Sequence, residues 1–239
     1  VVVTQDAKRT QNRSTAPLQI IDNEKLATLN ALQISDAVKH FSGVTVKDYG
    51  GIGGLKTVSV RSLGANHTTI SYDGIPVSDM QTGQIDIGRF SLENVDNISL
   101  SIGQTDNIFQ PARMFSSASV LNIQTQKPNL SDKQSISGKI NLKAGSFGLF
   151  NPAFLVNGRF SEIISASFSG EWLSAHGKYP YVLNYGIIGK DSSSVETRKN
   201  TDVKNLRLEG TLFADFSDNS KAYLKTYFYN SERGLPGAT

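Results

Sequence analysis

Cysteine is absent from the 239 residues, which excludes disulfides and thiolate metal sites. Long apolar runs are absent as well, which excludes a spanning helix. It does not exclude a membrane wall made of strands, because alternating strands average to neutral hydropathy. The hydrophobic share of 38% and the mean hydropathy of −0.25 fit either case. Charge of one sign is scarce: the net charge is +3 and no Lys/Arg cluster stands out, which argues against nucleic-acid binding. Three histidines, His40, His67 and His176, are isolated and show no metal-ligand spacing. No Gly-x-Ser-x-Gly elbow occurs, so hydrolase chemistry has no handle. No leader opens the chain, since Val1-Val2-Val3-Thr4 is already a strand-like run; an exported protein is expected here in mature or trimmed form.

What is present centres on residues 50–77, GGIGGLKTVSVRSLGANHTTISYDGIPV. Val58 and Val60 alternate with Thr57, Ser59 and Arg61, Ser62-Leu63-Gly64-Ala65-Asn66 breaks the alternation, and 68–72 runs into the turn Asp73-Gly74. Period-2 runs bounded by Gly, Asn, Asp and Pro predict strand, loop, strand, turn. The glycine loop is not a phosphate cradle. Leu55 precedes Lys56 where a P-loop needs glycine, Lys56 stands where a dinucleotide fingerprint needs one, and a strand follows instead of a helix. Upstream, Asp22 or Asn23 is expected to cap a short helix carrying Leu26 and Leu29. Ser35 is expected to cap a second, with Asp36 in its first turn, Ala37, Val38 and Phe41 on one face, and Gly43 stopping it. Downstream, 91–101 and 118–124 read as strands, and 127–132 as a linker. Asp73 is expected to hold its turn by accepting from the N–H two residues on.

The order of these segments resembles the plug domain of TonB-dependent outer-membrane receptors. The residues that carry the resemblance are Ser35-Asp36-Ala37-Val38 with Gly43-Val44-Thr45-Val46, the glycine loop and Val-Arg strand, Asp73-Gly74-Ile75-Pro76-Val77, Val95-Asp96-Asn97-Ile98-Ser99-Leu100 and Ser119-Val120-Leu121-Asn122-Ile123. It covers about residues 1–128. One stretch departs from the family: its usual Arg-Gly-Pro, Tyr-Gly and Gly-Gly are replaced by a longer 105–115 insert and Ser116-Ser117-Ala118-Ser119.

Beyond the linker the texture changes to two-faced strands. Ile136, Gly138, Ile140, Leu142 and Ala144 oppose Ser135, Ser137, Lys139, Asn141 and Lys143; similar faces run through 165–173, 204–216 and 221–230, and more faintly through 152–160. Runs of about ten residues match the length that crosses a bilayer at barrel tilt. Tight turns at 160–163 and 216–221, a medium loop at 145–151 and a long polar loop at 175–202 predict alternating inner and outer connections. About five strands cannot close a barrel, and lipid does not tolerate an open edge. The expected fold is therefore an α+β plug (1–128) followed by antiparallel strands of a transmembrane β-barrel (129–239), the N-terminal fragment of a larger barrel cut near 233–237.

The resemblance implies energy-coupled uptake with no enzymatic step and no cofactor. The expected ligand is of cobalamin type, with ferric siderophore or oligosaccharide as alternatives. Ligand contacts are expected at Tyr49, Gly50, Gly51, Ile52 and Gly53, at His67, and at Ser78, Asp79, Met80, Gln81, Thr82 and Gln84; Arg61 and Arg89 are expected between plug and barrel. Partners would be TonB, through a Ton box upstream of Val1, and outer-membrane lipid; a surface lipoprotein is left open. The alternative class is a soluble binding or adhesion module, with an enzyme a distant third.

Overall fold

The computed structural model describes residues 14, 16–104, 108–130, 134–184, 193–217 and 220–235. The Val1–Thr4 run, part of the 105–115 insert, the 218–219 turn and the 236–237 part of the expected cut lie outside the described residues. Among the described residues no helix is long and apolar enough to cross a membrane. The chain divides into two compact units: the segment up to Asp48 with Leu55–Lys127, and Tyr49–Gly54 with Pro128–Thr239.

The first unit is built on a mixed five-stranded sheet of order β1-β6-β7-β4-β5, namely β1 (Leu18–Asp22), β4 (Thr68–Tyr72), β5 (Ile75–Val77), β6 (Val95–Ile102) and β7 (Ser119–Thr125), while β2 (Val44–Asp48) and β3 (Lys56–Val60) form a separate antiparallel pair. β7 is the central strand, antiparallel to β6 and parallel to β4. Ile21, Ile34, Val38, Ile98, Leu100, Leu121 and Ile123 form the heart of the core, and Tyr72 stacks on Phe90 with ring centroids 4.7 Å apart. β3 is buried at every position, polar residues included, so the alternation of its sequence does not mark a solvent face.

Helix α1 (Asn23–Thr28) starts as expected, with the Asp22 carboxylate accepting from the Lys25 N–H at 2.9 Å. Helix α2 (Ile34–Val38) does not. Its cap position is Gln33, whose N–H donates to the Asp36 carboxylate at 3.2 Å while the Asp36 N–H donates to the Gln33 backbone carbonyl at 3.0 Å. Ser35 lies two residues past the cap, inside the first turn, and is fully buried. The helix also ends at Val38, before Gly43, whose positive φ of 76° instead turns the chain into β2. The Asp73-Gly74 turn takes φ of 49° and 81°, the mirror-image conformation that suits a two-residue hairpin. The Asp73 carboxylate accepts from the Thr125 N–H at 2.7 Å and the Thr125 hydroxyl at 2.8 Å, tying the turn to the end of β7.

The second unit is an antiparallel sheet of order β14-β13-β10-β9-β8, built from β8 (Ile136–Gly145), β9 (Leu149–Arg159), β10 (Ile164–Ala175), β13 (Val203–Ser217) and β14 (Ser220–Arg233). It is open, with β8 and β14 at its edges. Its sidedness is inverted relative to a water-soluble sheet. Ile136, Ile140, Phe154, Phe168, Trp172, Leu212 and Phe228 are exposed in register on one face; Asn151, Ser167, Ser169, Glu171, Asn205, Arg207, Glu209 and Thr211 are buried on the other. Ile140 is 84% exposed and Arg207 3%. Water-soluble proteins rarely expose a contiguous apolar patch of this extent. It is the pattern of a wall that turns its apolar face to lipid. Two readings need correction. The 145–151 loop is only the short turn Ser146–Gly148, so connection lengths do not alternate as expected there. The 175–202 segment is not a plain loop, because β11 (Pro180–Asn184) and β12 (Ser193–Thr197) pair within it.

Candidate ligand-binding site

In the first unit, the start of β4 and the end of β5 are neighbours because the two strands pair antiparallel. Their flanking loops therefore meet. A cavity of about 160 Å³ opens between them, lined by Asn66, His67, Thr68, Thr69, Ser78, Gly83, Arg113, Ser116 and Ser117 over a floor of Val58, Ile70, Val77 and Ile85. Two of the expected contact residues, His67 and Ser78, line it. His67 gets there through the tight turn Ala65–His67 that follows Gly64, whose φ of 94° only glycine takes easily.

The loop after β5 is organised by Asp79. Its carboxylate accepts from the Gln81 N–H at 3.0 Å, the Thr82 N–H at 2.8 Å and the Thr82 hydroxyl at 3.0 Å, while its own N–H donates to the Gln84 carbonyl at 3.1 Å. These bonds to Thr82 and then Gln81, helped by the nearby Arg89 guanidinium, hold the Asp79 carboxyl below its ordinary value. The loop thus presents Met80 fully exposed, with Gln81 and Thr82 exposed beside it. All three bonds fall on Asp79 Oδ1, which gives that oxygen a holding role in the loop.

Loop Tyr49–Gly54 belongs to the second unit. Tyr49 is exposed, Gly50 and Gly51 have positive φ, and Gly51–Gly53, with Ile52 between, forms a tight turn. Arg233 Nη1 donates to the Gly53 carbonyl at 3.1 Å, and a Cβ on Gly53 would lie 2.8 Å from the Val203 Cβ. Arg61 ends β3 exposed, at φ 50°, with Ser62 following at 60°. Two successive residues in that conformation are unusual for side chains other than glycine. Arg61 is anchored through its N–H, which donates to the Gly43 carbonyl at 2.8 Å.

Arg113 was not singled out from sequence. It sits in helix α3 (Ala112–Phe115), inside the insert that departs from the family pattern, and no spacing marks it. Its guanidinium donates to Ser78 Oγ at 2.9 Å. Among the described residues no cluster of His, Cys, Asp or Glu could hold a metal ion.

The family model for the TonB-dependent receptor plug domain matches residues 10–114. Among solved structures, the siderophore receptor PirA from Acinetobacter baumannii is similar at 20% identity with a TM-score of 0.65, over 95% of this chain and 33% of that one. The pyoverdine receptor FpvA from Pseudomonas aeruginosa PAO1, bound to pyoverdine, is similar at 16% identity with a TM-score of 0.68, over 93% of this chain and 29% of that one. The copper transporter OprC is similar at 15% identity with a TM-score of 0.68, over 94% and 32%. The chain thus spans about a third of the length of the structures it matches.

Proposed function

Because this chain carries a TonB-dependent receptor plug domain and the antiparallel strands of an outer-membrane barrel, we propose that the whole protein imports a scarce metal–siderophore complex across the bacterial outer membrane. The observation that carries the reading is the inverted second sheet, apolar where it faces out and polar where it is buried. A soluble binding or adhesion module has no use for that sidedness. The siderophore class is preferred over a corrinoid because PirA and FpvA are siderophore receptors in their own descriptions, and none of the receptors described above is a corrinoid receptor. Ligand contacts are assigned to His67, Ser78 and the exposed 80–84 tip, with Tyr49–Gly54 as a second set. Binding alone cannot drive uptake against a gradient, so TonB is the proposed source of work. No bond-making step is assigned.

The test is accumulation of labelled metal by receptor-deficient cells carrying the full-length protein, offered a panel of ferric siderophores, a copper complex and a corrinoid. Uptake of a ferric siderophore that vanishes in a TonB-deficient strain is the expected result. Uptake that is indifferent to TonB, or confined to the corrinoid, would overturn the reading.

A further inference from the structure

The cavity between the β3–β4 and β5–β6 loops has a charge asymmetry that its role as a ligand contact does not require. Its lining contains Arg113, His67, Asn66 and the hydroxyls of Thr68, Thr69, Ser78, Ser116 and Ser117, and among the described residues no carboxylate. Among the described residues no carboxylate pairs with Arg113; its recorded side-chain bond is the one to Ser78 Oγ. A guanidinium offers five N–H donors in a planar fork, and the bond recorded among the described residues uses one of them. Ser78, accepting from Arg113, keeps its own proton to give. Ser116 and Ser117 both donate to the Arg113 carbonyl at 2.9 Å, which fixes the short helix that carries the arginine. Thr68 pairs with Ser119 at 3.0 Å and Thr69 with Ser117, so the wall behind is set by bonds between β4 and the β7 end. The nearest acid in sequence, Asp79, does not line the cavity and is held by Gln81 and Thr82.

Size then limits what enters. The cavity volume is about 160 Å³. Whole-ligand pockets run to about 300–1,000 Å³. One functional group fits, and a complete chelate does not. We infer that this cavity is a subsite for a single oxyanion group, a carboxylate or phosphate carried by the ligand or free, with Arg113 as the residue that selects for it. The inference rests on the receptor reading above and deepens it. Planar, charge-assisted recognition of an oxyanion is what a guanidinium does better than any other side chain.

The experiment is titration of the purified full-length receptor in detergent, without TonB, using citrate, inorganic phosphate and, as a neutral control, glycerol. Citrate or phosphate is expected to bind and glycerol not. Arg113→Gln should weaken the binding about fivefold or more, with Arg113→Lys weakening it less, because a lysine keeps the charge and loses the fork. Preference for citrate assigns the carboxylate source, and preference for phosphate the other. If neither anion binds, or Arg113→Gln binds them as well as the parent, the subsite is overturned. Should Arg113→Gln fail to fold, Ser78→Ala reads the same cavity: a drop in anion binding supports the subsite, and unchanged binding overturns it. A receptor that imports a ferric siderophore with TonB yet ignores both anions keeps the transport reading and loses this one.

Discussion

Glu171 on β10 and Arg207 on β13 stand opposite each other in register and meet at 2.8 Å, with side chains only 4% and 3% exposed. Asn151 on β9 donates to the same Glu171 oxygen at 2.9 Å, and Arg207 lies over the Tyr229 ring at 5.9 Å. Buried charge is costly unless matched, so the pair stands or falls together. Glu171→Ala should destabilise the receptor by about 3–5 kcal/mol, because it strands Arg207. Replacing both residues by leucine should cost clearly less than the sum of the single changes. Unfolding midpoints of the full-length receptor in detergent check both; additive losses would contradict the pairing.

The outward face gives a depth-dependent prediction. Ile140→Lys should cost about 2–4 kcal/mol if that side chain lies at mid-bilayer. Asn141→Lys, one residue on and on the opposite face, should be close to neutral. Folding equilibria into lipid vesicles measure the difference. Equal tolerance at the two sites would contradict a lipid-facing β8.

Asp79 sets a pH limit for its loop. Its folded pKa is depressed by the Thr82 and Gln81 bonds, so its contribution is present at neutral pH and is lost as pH falls through the folded value. Hydrogen exchange at Gln81 and Thr82 should therefore accelerate, relative to neighbouring amides, only under strong acid. Asp79→Asn should show the faster exchange already at neutral pH. Exchange that is unaffected by either change would remove Asp79 from its holding role.

Gly53 is small because of what lies over it. Gly53→Ala would bring its Cβ to 2.8 Å from the Val203 Cβ, closer than real Cβ contacts, and should push the 49–54 turn off its seat and lose the Arg233 bond to the Gly53 carbonyl. Val203→Gly in the same chain removes the clashing Cβ, so the double variant should lose less than the sum of the two single losses. Thermal midpoints of the two single variants and the double variant decide it.

Most of the second unit was readable because a polar/apolar period of two is a direct record of two faces; Ile136 to Ala144 and Lys204 to Ala214 show it without any tertiary information. The hairpin of β11 and β12 was not, since Tyr181, Val182 and Leu183 show no alternation, Val195 stands alone among polar residues, and their pairing is set by register alone. β3 misleads in the opposite way: Thr57 and Ser59 alternate with Val58 and Val60, but both faces are covered. The cap position of α2 was missed because glutamine is a weak cap by type, and only the bond from the Gln33 N–H to the Asp36 carboxylate reveals it. Arg113 was invisible for a plainer reason. Its meeting with Ser78 joins residues 35 apart, and nothing local encodes that.

The place of β7 in the first sheet has a consequence for how the unit holds together. The middle strand is the last of this sheet in sequence, and it alone bridges β6 to β4. Until residues 119–125 are available, the β1–β6 and β4–β5 pairs have no shared neighbour, and Asp73 has no Thr125 to hold. A chain ended before Ser119 would leave two separate ribbons with open edges, so this unit's cooperativity depends on its last strand.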